Sequence, residues 1–86
     1  MDHRTILIVD DEPFVRRALK RALSQQGYTL LETGEPAEAL AMLEQHEVNL
    51  IISDYEMPSM TGLELLALAK ERAPSALGII LTGQAP

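Results

Sequence analysis

The rest of the chain is organised around Leu50-Ile51-Ile52-Ser53-Asp54-Tyr55-Glu56-Met57-Pro58-Ser59-Met60-Thr61-Gly62. Its first half is apolar and β-branched, the pattern of a strand buried on both faces. The run ends on Asp54, and Met57-Pro58 just beyond it cannot continue a regular strand. A carboxylate at the carboxyl end of a buried strand, facing a loop, is where open α/β sheets carry their chemistry. An isolated aspartate in such a place often does no more than stop the strand and satisfy loop amides. A second acidic group at an equivalent place earlier in the chain shifts the balance toward chemistry.

That group is Asp10-Asp11-Glu12, which follows the apolar run Thr5-Ile6-Leu7-Ile8-Val9. The run reads as a central parallel strand. Pro13 then suits a first helical turn, where its missing N–H has no partner to lose. Phe14, Val15, Ala18, Leu19, Ala22 and Leu23 recur at helical spacing, with Arg16, Arg17, Lys20 and Arg21 opposite them. This basic stripe reads as a solvated face rather than a nucleic-acid site. Gly27 is placed to end the helix in the left-handed conformation. Tyr28 to Thr33 is less uniformly apolar and reads as an edge strand.

Pro36 opens a second helix with Ala39, Leu40, Met42 and Leu43 inward. Thr61-Gly62-Leu63-Glu64 matches the capping box, and Leu63, Leu66 and Ala67 carry a third helix to about Ala73, before Pro74. Leu77-Gly78-Ile79-Ile80-Leu81-Thr82 is a fourth buried-type strand, and Gly83 begins a loop. No repeat or linker interrupts this order. β-α-β-α-β-α-β with short connections implies right-handed crossovers and a parallel sheet covered on both faces. Asp10, Asp11, Asp54 and Thr82 then converge on one edge of that sheet, although they lie far apart along the chain.

Composition bounds what such a site can do. The chain has 86 residues, enough for at most one domain, and a hydrophobic fraction of 47% is ample for a core. Only Phe14, Tyr28 and Tyr55 are aromatic, so Leu, Ile, Val and Ala do the packing. Without cysteine there is neither a disulfide framework nor a thiolate metal site. Ile6 to Val9 is too short for a signal peptide or a membrane span, so cytoplasm is the default. A net charge of −6 argues against non-specific nucleic-acid binding by this segment alone and suits a site that holds a divalent cation.

Crowded carboxylates repel, and two at close range do not both stay ionised without a counter-charge. Oxygen-only ligands fit Mg²⁺ best. Magnesium beside an exposed aspartate points to phosphoryl chemistry, with Asp54 as nucleophile. Thr82 could donate its hydroxyl to the transferred group, or be there only for its β-propensity. Glu12 and Glu56 could be solvated loop acids, though the Glu56 main-chain carbonyl lies within reach of an ion held by Asp54.

Val9-Asp10-Asp11-Glu12, the Asp54-Tyr55-Glu56-Met57-Pro58-Ser59-Met60-Thr61-Gly62 run, and Leu81-Thr82-Gly83 together resemble the receiver domain of bacterial two-component response regulators. The resemblance covers essentially all 86 residues. It implies a flavodoxin-like, CheY-like three-layer α/β fold. It also implies that Asp54 accepts a phosphoryl group from a sensor histidine kinase or phosphotransfer protein. By the same resemblance Asp11 ligates Mg²⁺ directly with Asp54 and the Glu56 carbonyl. Asp10 acts partly through water, and Thr82 is the switch residue.

Complete receivers also carry a fifth strand ending in a lysine and two further helices. Here the only lysines, Lys20 and Lys70, fall on predicted helices. The expectation is therefore residues 1–86 as the N-terminal portion of a receiver, incomplete after four strands and three helices, with an output domain possible beyond. The alternative is a catalytically impaired receiver acting as an interaction module. Its uncharged fourth strand, left as an edge, would pair with a second copy. An Asp-x-Asp phosphatase fits poorly because position 56 is Glu, and no glycine-rich run supports nucleotide binding.

Overall fold

In the computed structural model, which describes residues 4–82, strands and helices alternate from end to end. They are β1 (Thr5–Val9), α1 (Pro13–Leu23), β2 (Thr29–Thr33), α2 (Pro36–Gln45), β3 (Leu50–Asp54), α3 (Gly62–Arg72) and β4 (Leu77–Leu81). The four strands are parallel and ordered β2-β1-β3-β4, the beginning of the flavodoxin-like arrangement. The expected loop at Gly83 lies outside the described residues.

Alternation along the strands divides the core in two. Leu7, Val9 and Ile51 face α2 and α3, where they pack with Ala39, Leu43, Val48, Met57, Leu65 and Ala69. Ile6, Ile8 and Ile52 face the other way, against Leu19 and Leu23 of α1. β1 is the most deeply buried strand, and Leu7, Ile8 and Val9 are fully enclosed. This is the two-sided burial that its unbroken apolar run implies.

Two expectations need correction. First, the apolar residues of α1 do not all turn inward. Phe14 is 73% exposed and no residue of α1 is fully buried. At about 100° per residue the six apolar positions cover an arc of about 180°, wider than one sheet contact. The sheet takes the flank with Val15, Leu19 and Leu23, so Phe14, Ala18 and Ala22 remain outside. That rotation brings the neighbouring Arg16 and Lys20 over β2, where both pair with Glu32 at 2.9 and 2.8 Å. The basic stripe is therefore not simply solvated. Glu32 is held below its usual carboxylate range, chiefly by the Lys20 hydrogen bond and also by that of Arg16.

Second, α3 turns Leu65 and Ala69 to the core rather than Leu63 and Ala67, which are exposed. The segment is so rich in Leu and Ala that two helical phases satisfy its periodicity. Gly62 selects between them. A Cβ there would sit 2.4 Å from the Asp54 carbonyl oxygen, so only a residue without one can face β3. Leu65, Leu66 and Ala69 stack behind it. The expected capping box is present: Glu64 N–H donates to Thr61 Oγ1 at 3.1 Å, and Thr61 N–H donates to Glu64 Oε1 at 2.8 Å.

β4 stands as an edge among the described residues, as expected for the last of four strands, with Leu77 71% and Ile79 44% exposed although its sequence is of the buried type. The apolar run matches an interior strand, but only β3 pairs with it here.

The phase of α3 is testable. Leu65→Ala should cost about 2–5 kcal/mol by denaturant unfolding, and Leu63→Ala no more than about 0.5 kcal/mol. The reverse order of destabilisation would contradict the packing.

Candidate functional site

Register places the acidic residues. Val9 pairs with Ser53 across β1 and β3, so the next residues, Asp10 and Asp54, emerge side by side at the carboxyl edge. Strand alternation puts both on the face of Ile8 and Ile52. Asp11 follows one step into the loop. One carboxylate oxygen from each of Asp10, Asp11 and Asp54 lies within 4.8 Å of the other two. The structure therefore brings together three of the acids that the sequence places at the strand ends.

Asp10 is the most constrained of the three. It is 4% exposed, and its Oδ1 accepts the Glu12 amide at 2.9 Å. Its own amide donates to the Thr33 carbonyl at 3.1 Å, tying β1 to the end of β2. Desolvation pushes the Asp10 carboxyl above its usual range. The Glu12 amide opposes that shift, while Asp54, Asp11 and Glu12 add like-charge repulsion. Asp54, last residue of β3, is half-buried, and Asp11 is exposed in the loop.

β4 continues the edge. Leu81 is opposite Asp54 in register, and the Tyr55 amide donates to the Leu81 carbonyl at 2.9 Å. Thr82 comes next, exposed and just past the strand rather than within it. Glu56 forms an isolated antiparallel bridge with Thr61, which closes the loop between β3 and α3. Gly62 N–H donates to the Tyr55 carbonyl at 2.6 Å, and the fully buried Ser53 hydroxyl donates to the Asp54 carbonyl at 2.9 Å. Met57 is buried in the core and anchors the same loop.

The donor set fits magnesium. With Mg–O distances of about 2.0–2.1 Å, octahedral ligands lie about 3 Å apart as neighbours and about 4 Å apart when opposite. Oxygens already within 4.8 Å of one another need only a small closure to reach that spacing.

A sequence model described as the response regulator receiver domain matches residues 6–86. The chain belongs to this family. Among curated relatives, the hydrogenase transcriptional regulatory protein HoxA of Cupriavidus necator is 37% identical over 79 residues, covering 92% of this chain and 16% of that protein. The signal receiver domain of an HD domain-containing protein from Pseudomonas fluorescens superposes with a TM-score of 0.91 at 36% identity, over 98% of this chain and 62% of that one. The response regulator TrrA from Thermotoga maritima, crystallised with Mg²⁺ and BeF, gives 0.87 at 35% identity, over 95% of this chain and 71% of that one. The chain thus spans a small part of its curated relatives and most of a solved receiver domain.

Two features of this receiver escape a reading of its sequence. Arg16 belongs to the stripe assigned to solvent, yet its Nη1 donates to the Asp10 main-chain carbonyl at 2.6 Å. Gly34 makes room for it, since a Cβ there would lie 2.8 Å from that nitrogen. The only signal was a glycine directly after a strand, which a turn explains equally well.

The sign of the Asp10 shift yields a prediction. Asp10→Asn keeps an oxygen for the Glu12 amide and removes the desolvated charge, so it should raise the metal-free melting temperature at neutral pH. In the parent, folded Asp10 takes up its proton at higher pH than the unfolded chain does. The parent therefore regains stability as pH falls through that window, and the advantage of the variant shrinks. Melting curves in chelator at neutral and mildly acidic pH test this. A variant less stable than the parent at neutral pH would contradict it.

Proposed function

We propose that this receiver domain takes a phosphoryl group on Asp54, with Mg²⁺ held by Asp10, Asp11, Asp54 and the main-chain carbonyl of Glu56. The observation that carries this reading is the convergence of three carboxylate oxygens within 4.8 Å at the carboxyl edge of the sheet. Asp54 is the acceptor because the other two acids are poorly placed for the role. Asp10 is buried and bonded to the Glu12 amide, while Asp11 stands off the strand in the loop.

In the transfer, an Asp54 carboxylate oxygen forms a bond to phosphorus as the bond from phosphorus to the donor's histidine nitrogen breaks. The product is an aspartyl phosphate. Bound Mg²⁺ would supply positive charge against the phosphoryl oxygens. Thr82, one residue past the register partner of Asp54, is the hydroxyl that would follow the phosphoryl group and report its arrival. The donor is a sensor histidine kinase or a phosphotransfer protein, and the recipient of the signal is an output domain. The chain acts as a phosphoacceptor rather than as an enzyme turning over a free substrate. A cytoplasmic site of action fits this role; no described helix is long and apolar enough to cross a membrane.

A second reading rests on β4. Its outer edge carries no charge and no proline, and Leu77 and Ile79 stand exposed on it. Such an edge invites pairing with another strand. In the 86-residue chain the occupant is a second copy, and sedimentation at micromolar concentration should show a dimer. A strictly monomeric species with a cooperative thermal transition would remove this reading and leave the first intact.

The main proposal is tested by intact mass after incubation with a small acyl-phosphate donor and Mg²⁺. The parent should gain the mass of one phosphoryl group, and Asp54→Asn should gain none. Equal modification of the variant would move the acceptor elsewhere. Asp11→Ala should weaken Mg²⁺ binding most among single substitutions of the acids, because a directly coordinating carboxylate contributes more than one acting through water. Unchanged Mg²⁺ affinity in that variant would overturn the ligand assignment.

A further inference from the structure

Of the basic residues on α1, Arg16 alone is drawn into the protein far enough to touch the acidic loop. Its side chain is 19% exposed. Nε donates to Glu32 Oε1 at 2.9 Å, and Nη1 donates to the Asp10 carbonyl at 2.6 Å. Lys20 occupies the other Glu32 oxygen at 2.8 Å, so the carboxylate that steers Arg16 is itself held in place. Glu32 lies on β2 opposite Ile8, two residues before Asp10 on the neighbouring strand.

Gly34 completes the arrangement, and its identity is informative. Its φ is not positive, for Gly27 is the one described residue with that conformation. Backbone freedom therefore does not explain the glycine, whereas space does. A Cβ at this position would come within 2.8 Å of Arg16 Nη1 and 3.4 Å of the Asp10 carbonyl oxygen. The berth is cut for the guanidinium where it meets that carbonyl.

We infer that Arg16, seated by Glu32 and Gly34, is a positioning residue for the metal site, holding the Asp10 main chain so that the Asp10 and Asp11 carboxylates point at Asp54. This inference rests on the Mg²⁺ reading above. Asp10 is gripped at three atoms: its amide by Thr33, its Oδ1 by Glu12 and its carbonyl by Arg16. Arg16 places its charge on Glu32 and its other bond on a backbone oxygen, so it takes no carboxylate oxygen away from an ion. Its effect on Mg²⁺ is geometric, and this separates the inference from an electrostatic one. If Arg16 acted only as a nearby positive charge, removing it would strengthen cation binding.

The test is the Mg²⁺ dissociation constant of the intact chain by calorimetry, with melting curves in chelator as a measure of folding. Arg16→Gln should weaken Mg²⁺ binding roughly 10- to 100-fold, the range seen when groups that orient metal ligands are removed. Gly34→Ala, which keeps every charge, should weaken it in the same direction. Arg16→Lys, which offers one nitrogen where the guanidinium uses two, should fall between the parent and Arg16→Gln. Unchanged or tighter binding in Arg16→Gln and Gly34→Ala, with the parent binding normally, would overturn the role of Arg16 alone. A parent that binds no Mg²⁺ would overturn the metal reading and this inference with it. A variant that melts earlier in chelator yet keeps the parent's dissociation constant would make Arg16 structural only.

Discussion

Three carboxylates held against one another at the end of a buried sheet are the constraint on which this structure turns. Nothing in the folding of the chain favours that crowding. Asp10 is desolvated and faces the like charges of Asp54, Asp11 and Glu12, which is the wrong environment for an ionised acid. The arrangement persists because the apolar register of β1 and β3 over-determines it. Leu7, Ile8, Ile51 and Ile52 are all buried in fixed pairings, and Asp10 and Asp54 must emerge wherever those strands end. The core thus holds an unfavourable cluster in place, and stability given up at the edge is recovered in the interior.

The loops around the cluster are held with similar economy of atoms. On the β3 side, Gly62 lets α3 begin directly against the Asp54 carbonyl, and the Thr61–Glu64 box finishes the helix end. On the β1 side, Arg16 reaches the Asp10 carbonyl through the space that Gly34 leaves open. Both loops that present acids are therefore fastened largely through main-chain oxygens, and the one carboxylate oxygen engaged is Asp10 Oδ1, which accepts the Glu12 amide. Both glycines serve close approach rather than an unusual backbone angle.

Much of this was legible from residue order. Largely apolar runs rich in β-branched residues and ending at acids located β1 and β3 to the residue, and Thr61-x-x-Glu64 located the start of α3. Convergence of Asp10, Asp11 and Asp54 followed from the alternation of strands and helices alone. Helix phase was less accessible. In α3 the apolar content is too high for periodicity to choose a face, and in α1 the apolar arc is wider than the contact it makes. The Arg16–Glu32 pair was hidden for a related reason: it depends on how far α1 rotates, and that is decided by packing of Leu19 and Leu23 on the sheet. Periodicity reports which residues are apolar, whereas neighbours decide which of them are covered.

If the acidic edge is built around one divalent cation, the ion should be visible there. Diffraction from crystals grown with Mn²⁺, a stand-in for Mg²⁺ with an anomalous signal, tests it most directly. A single strong peak should bridge the carboxylates of Asp10, Asp11 and Asp54, within about 2.3 Å of at least two oxygens. A peak elsewhere on the surface, with none between these three side chains at saturating Mn²⁺, would contradict it.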